Sequence, residues 1–199
     1  EVVGVDINPQ PHYPFTFIQG DALEADLSGF DFIWASPPCQ AHTALKVLHN
    51  AKPHADLIPA TRELLEASGK PWAMENVPGA PLRNAIVLCG SMFGLGIKEA
   101  ELRRHRLFET SFPVQAPRCQ HSRLPVIGIY GGHQRNRKRS KGKNHEAPNF
   151  PTDAGRRAMG IDWMTVNELS QAIPPAYSEF IALAIAAIFG CNVLRCNTL

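Results

Sequence analysis

Four short apolar runs, each closing on polar residues, constrain the first 77 residues of this chain more than any other feature. "EVVGVDIN" is a β-branched run that reaches Asp6, and "YPFTFIQGDAL" alternates Phe15, Phe17 and Ile18 before Gly20 and Asp21. "FDFIWASPPC" ends in Pro37-Pro38-Cys39, and "KPWAMENV" ends in Glu75 and Asn76. Between the third and fourth runs, "ADLIPATRELLEAS" (Ala55 to Ser68) carries Leu57, Ile58, Leu64 and Leu65 at helical spacing, with Gly69 as its stop. Strand, polar exit, helix, strand is the rhythm of an α/β fold. In such sheets ligands collect at the carboxyl ends of the strands, which makes the polar exits the candidate site.

The third exit carries the most specific information. Two prolines lock the backbone just ahead of Cys39, a mounting that a merely packed thiol does not require. Glu75, after an apolar run and ahead of a Val-Pro-Gly turn, reads as a partly buried acid. A thiol and an acid at one sheet edge support covalent catalysis with proton transfer. Asp6 and Asp21 stand where acids hold a ribose or an adenine amine in nucleotide-binding sheets, although an Asp after a strand is more often a turn or cap residue.

The second half is less regular. "LRRHRLFET" leads into a strand at Leu107-Phe108, and Arg118 to Phe150 is a loop-rich stretch with one apolar run, "LPVIGIY". "PTDAGRRAMGI" predicts a short helix capped by Thr152 or Asp153. "PPAYSEFIALAIAAIFG" predicts a helix with Pro at its start and Gly190 at its stop. The net charge is only +2, yet no acidic residue occurs between Glu109 and Glu146. Within that window "HQRNRKRSKGKN" holds six Lys or Arg residues, among them Arg135, Arg137, Lys138 and Arg139. Such a run is either a solvated loop or a contact surface for a polyanion.

With 199 residues and 44% hydrophobic content the chain can build one well-cored domain and a small appendage. No stretch approaches the ~18 apolar residues of a membrane span, so a membrane role is not expected. Five cysteines, an odd count without paired metal-type spacing, point to reduced thiols in an intracellular protein. Cys119 and His121 in "PRCQHS" are two possible ligands with no second pair, and Cys89 in "VLCGSMFG" reads as a packed core thiol. No metal is expected.

Taken in order, Pro37-Pro38-Cys39-Gln40, Glu75-Asn76-Val77 and Arg104-His105-Arg106 followed by an apolar pair resemble the DNA cytosine-5 methyltransferases. The chain is most similar to the short members encoded by phages and prophages, over residues 2 to 187. The resemblance implies a Rossmann-like, S-adenosylmethionine-dependent sheet with a small basic target-recognition insertion. It implies Cys39 as the thiolate that adds to carbon 6 of a flipped cytosine, so that carbon 5 takes the methyl group. Glu75 would act at ring N3 and the exocyclic amine, a task suited to an acid whose pKa burial raises, and Arg106, with Arg104 less directly, would hold the base carbonyl. Asp6, Ile7, Asp21, Ala22, Pro38, Leu57, Ala172 and Ile173 would border S-adenosylmethionine. Gln40, Asn76 and Val77, with the basic residues 135 and 137–139, would meet double-stranded DNA. Gln171-Ala172-Ile173 stand where the family has Asn-Ser-Val, which leaves backbone contacts as the expected ones there.

A sheet of this kind needs a strand and a Gly-rich turn about 20 residues ahead of its ribose acid. Here Asp6 follows Glu1 almost at once, so a sheet without its first strand, and weak binding of S-adenosylmethionine by the chain as written, are expected. The expected divisions are a partial catalytic core over 1–112, the recognition segment 113–150, a return to the core over 151–190, and a non-family tail 191–199. A monomeric enzyme of a bacterial host cytoplasm is the implied setting. Methylation of an RNA cytosine, or an inactive fragment that only binds DNA, are the alternatives.

Overall fold

A computed structural model of the chain describes residues 1–43, 54–130, 133–136 and 150–190. It is a mixed α/β protein whose contacts divide it into two compact units: Glu1–Ile86 with Arg106–Pro113, and Val87–His105 with Val114–Leu199. The segment 87–105, expected to belong with the catalytic core, thus joins the C-terminal residues.

In the first unit the four apolar runs form strands. β1 (Val3–Asp6) pairs in parallel with β2 (Thr16–Gln19), so Asp6 lies opposite Gln19. β3 (Ile33–Ala35) pairs in parallel with β4 (Trp72–Asn76), joined through helix α1 (Ile58–Ala67). The β1–β2 ladder and the sheet containing β3 and β4 are separate among the described residues. β5 (Ile86–Leu88) stands at the unit boundary.

The strand expected around Leu107-Phe108 is β8 (Arg106–Thr110), which follows β6 (Gly96–Ile97) and β7 (Ala100–Glu101) in the chain. It runs antiparallel to β4, with Glu75 opposite Phe108 and Met74 opposite Glu109. Alternation then assigns faces. Ile33, Trp72 and Met74 share a core with Ile58 and Leu65 of α1, each such aliphatic burial contributing roughly 1.5–3 kcal/mol. Trp34, Glu75, Arg106 and Phe108 fall on the opposite face, where the Trp34 and Phe108 rings meet edge-on at 5.4 Å.

On the α1 face the buried Arg62 grips Glu109 through Nε and a terminal nitrogen, both at 2.8 Å. The Arg83 backbone N–H also donates to Glu109, at 2.7 Å. Burial alone would raise the Glu109 carboxyl. The Arg62 and Arg83 hydrogen bonds and the charges of both guanidinium groups outweigh it and hold the carboxyl below its ordinary value.

The second unit is built around β6 and β7, the hairpin β9 (Ile127–Tyr130) and β10 (His133–Asn136), and helices α2 (Thr152–Met159), α3 (Val166–Gln171) and α4 (Pro175–Phe189). Its core gathers Leu102, Ile127, Ile129, Met159, Ile161 and Leu169. Three local features differ from expectation. The basic stretch, read as loop, begins as strand β10, because "LPVIGIY" supplies a partner with which it pairs. α2 starts from Pro151, whose φ of −53° leads into the helix without any side-chain cap. α3 was not foreseen, although Thr165 and Glu168 form a complete capping box at its start. α4 ends as expected, on Gly190 with φ 64°. Among the described residues no helix is long and apolar enough to cross a membrane.

Candidate functional site

The site assembles where β3, β4 and β8 deliver their ends. Because β3 and β4 are parallel, both send their following residues to the same edge, and these are Ser36-Pro37-Pro38-Cys39 and Asn76-Val77. The buried Asn76 binds the two exits together. Its side-chain N–H donates to the Pro37 carbonyl at 2.9 Å, while its side-chain oxygen accepts the Val77 N–H at 2.9 Å. Pro37 is buried, Pro38 and Gln40 are exposed, and Cys39 is half-buried. Cys39 accepts the His42 N–H on its carbonyl at 2.9 Å, so the turn closes immediately behind the thiol. The His42 ring in turn meets Asp56 at 3.0 Å. That carboxylate also receives the Ile58 N–H at the start of α1.

Glu75 and Arg106 form the charged part of the site. Arg106 lies two residues before Phe108, the direct partner of Glu75, so the two side chains are diagonal neighbours on one face. They meet as an ion pair, Arg106 Nε to Glu75 at 3.0 Å, with both side chains largely out of water. Glu75 is the residue expected to act at ring N3 and the exocyclic amine of the base. Paired in this way it is an acceptor, and the guanidinium is the donor at this edge.

Arg104 takes a different place from the one expected. Its guanidinium donates to the carbonyls of Ile129 at 3.1 Å, Ser170 at 2.7 Å and Ala172 at 2.7 Å, all within the second unit. Its own carbonyl accepts the buried Tyr177 hydroxyl at 2.9 Å. This is a clasp between β9 and the end of α3, a fold-building role instead of a contact to a base. β8 begins only at Arg106, so the Arg-x-Arg spacing does not continue one strand face. Ala172 is drawn into the same clasp. Its carbonyl also accepts Arg104 Nε, and its N–H donates to Glu168, so its backbone already has partners where a cofactor contact was expected. Ile173 is half-buried beside it.

At the β1–β2 edge, Asp6 and Asp21 stand at adjacent strand exits. Asp6 accepts the Asn8 N–H at 2.8 Å on one oxygen and Gln10 Nε2 at 3.2 Å on the other. Asp21 accepts the Leu23 N–H at 2.9 Å, capping the single turn that begins at Ala22. Both carboxylates are thereby oriented and keep acceptor capacity. Ile7 is 67% exposed beside them. Leu57 opens α1, where its carbonyl accepts the Thr61 N–H. Arg135 lies in β10 opposite Gly128; Arg137, Lys138 and Arg139 lie outside the described residues.

A second constellation was missed. The second unit brings Cys89 and His105 to Cys119 and His121, the four donor atoms lying within 4.8 Å of one another. The expectation that Cys119 and His121 lack a second pair is corrected by this packing, as is the reading of Cys89 as a core thiol alone. Burial pushes the Cys89 thiol up, and burial with the neighbouring His121 and Arg103 charges pulls His105 down. Only an unusual Cys-x-His at 119–121 marks this cluster in the sequence.

No family model, curated protein or solved structure matches the chain.

Proposed function

We propose that the chain methylates carbon 5 of cytosine in double-stranded DNA, with Cys39 forming a covalent bond to carbon 6 of a flipped base. One observation carries the reading: Asn76 ties the Pro-Pro-Cys turn to the very strand whose Glu75 is paired with Arg106. A nucleophile, a carboxylate and a guanidinium are thereby mounted on one sheet edge, and the ordered motifs of the sequence assign each a task.

The Cys39 thiolate adds to carbon 6, forming the S–C bond while the ring electrons move toward carbon 5 and the carbonyl oxygen. Arg106 donates to that oxygen and offsets its growing charge. Glu75 accepts from the exocyclic amine, and its exchange of Arg106 for the base aligns the ring against the thiol. After methylation, loss of the carbon-5 proton to water expels the Cys39 thiolate. The prolines ahead of Cys39 keep the sulfur aimed through these steps, so little ordering remains to be done when the base arrives.

The methyl donor implied is S-adenosylmethionine, which when bound supplies the methyl group. The residues at the β1–β2 edge fit its adenosine end: Asp6 is an acceptor for ribose hydroxyls, Asp21 for the amine, and the exposed Ile7 is an apolar cover.

Trapping tests the proposal. Duplex DNA carrying 5-fluorocytosine, incubated with the chain and S-adenosylmethionine at a concentration high enough to saturate weak binding, should yield an adduct on the peptide containing Cys39, and Cys39→Ser should abolish it. No adduct would overturn the nucleophile. Tritiated methyl transfer to tRNA but not to duplex DNA would move the substrate to RNA. Salt-dependent DNA binding that survives Cys39→Ala, without any transfer, would reduce the chain to a binding module.

A further inference from the structure

We propose that Cys89, His105, Cys119 and His121 form a closed, tetrahedral zinc site that holds the second unit together. The site contains no residue of the proposed methyl-transfer machinery and stands or falls independently of it.

Four ligand atoms converge from three separate stretches of chain. Cys89 follows β5 and opens a single helical turn over Gly90–Phe93. His105 closes the extended stretch after β7. Cys119 and His121 lie on the segment 114–125, which has no helix or strand of its own. Both histidines approach with Nε2: His121 is 3.0 Å from the Cys119 sulfur and 3.5 Å from that of Cys89, and His105 is 3.5 Å from Cys119. A tetrahedral zinc with Zn–S near 2.3 Å and Zn–N near 2.0–2.1 Å sets sulfur-to-nitrogen edges of about 3.6 Å. The observed separations of 3.0–3.5 Å approach that figure.

The donor set selects the metal. Two thiolates and two imidazoles suit zinc, while magnesium and calcium require oxygen ligands, of which this set has none. Two thiolates neutralise the dication, and each sulfur would lose its proton on binding. All four positions are filled by the protein, which is the pattern of a structural site and not a catalytic one. The Ser91 hydroxyl lies 3.2 Å from the Cys89 sulfur and 3.8 Å from that of Cys119, where its one O–H can donate to either thiolate.

The backbone around Cys89 is shaped for this convergence. A Cβ at Gly90 would fall 2.2 Å from the Leu102 carbonyl oxygen, so glycine lets the strand exit press against the stretch that delivers His105. Segment 114–125 is anchored at its end: Ser122 donates twice to Glu101, Arg103 reaches the Ser122 carbonyl, and the Glu101 N–H donates to the Pro125 carbonyl. A metal at Cys119 and His121 would fix the segment ahead of these contacts, immediately before the β9–β10 hairpin.

The full chain, purified without chelator, should contain one zinc per molecule by plasma mass spectrometry. The variant Cys119→Ala with His121→Ala should contain none. Because a variant that fails to fold would also lose metal, the unaltered chain should be stripped and reloaded with cobalt(II) as well. It should then show the strong visible bands of a tetrahedral site and a sulfur-to-cobalt band in the near ultraviolet. Stripping should lower its thermal midpoint, and zinc should restore it. Absence of zinc and of the cobalt bands, a Cys89–Cys119 disulfide in the isolated protein, or full zinc retention by the double variant would overturn the site.

Discussion

Asn76 holds the carbonyl of Pro37 at 2.9 Å, and through that one bond the strand bearing Glu75 positions the turn bearing Cys39. Asn76 is 1% exposed and Pro37 is buried. Removing the amide therefore strands a carbonyl that water cannot reach. Asn76→Ala should cost about 1–3 kcal/mol, read as a shift of the urea midpoint. It should also slow adduct formation at Cys39 more than it changes DNA affinity. An adduct rate equal to that of the parent would mean that the prolines alone aim the thiol.

The Glu75–Arg106 pair separates stability from chemistry. Arg106→Ala takes the guanidinium away from a buried carboxylate and should destabilise the first unit by about 3 kcal/mol or more. Glu75→Gln keeps shape and most hydrogen bonding, so the fold should survive. Methyl transfer should nevertheless fall by a factor on the order of 100 or more. Near-parental transfer by Glu75→Gln would remove Glu75 from the mechanism.

Acid should destabilise the first unit through Glu109. Its carboxyl is held below the ordinary range in the folded chain, so its contribution is fully present above the unfolded value, about pH 4.3. That contribution is lost as pH falls through the folded value. Asp56 and, in the second unit, Glu101 are depressed in the same direction. Urea midpoints measured from pH 7 down to pH 3 should therefore decline, with the decline smaller in a double variant that replaces Arg62 by Met and Glu109 by Leu. Parallel curves for the two proteins would show that the pair contributes nothing to the pH dependence.

Arg104 should behave as a structural residue. Arg104→Met leaves the Ile129, Ser170 and Ala172 carbonyls without their donor and should destabilise the second unit by about 3 kcal/mol or more. Tyr177→Phe, which removes only the hydroxyl donated to the Arg104 carbonyl, should cost about 1 kcal/mol. Thermal denaturation compares the two, and equal losses would argue against the clasp.

Strand exits were legible because they are local events. The apolar runs ending at Asp6, Asp21, Cys39 and Glu75, and the Pro and Gly that bound α4, each carry their signal within a few residues of chain. Even the shared sheet edge of Cys39 and Glu75 follows from one parallel crossover through α1. Pairing across longer separations was not legible. Arg104 and Arg106 are the same residue type two positions apart, and nothing nearby says that β8 begins between them. Their roles diverge because one enters a strand beside Glu75 and the other turns into the carbonyls at the end of α3.

Cys89 and His121 make the same point more strongly, being 32 residues apart with no repeating spacing between them. Likewise Arg62 and Glu109 are 47 residues apart, with no local pattern that links them. Residue type and short-range pattern were enough for which chemistry each strand end can offer, since backbone stiffness, polarity and periodicity act over a few bonds. Which of those groups meet, and which are buried to hold the fold, was decided by register and packing, because a hydrogen bond or ion pair is made only where distant backbones come within about 3 Å of suitable geometry.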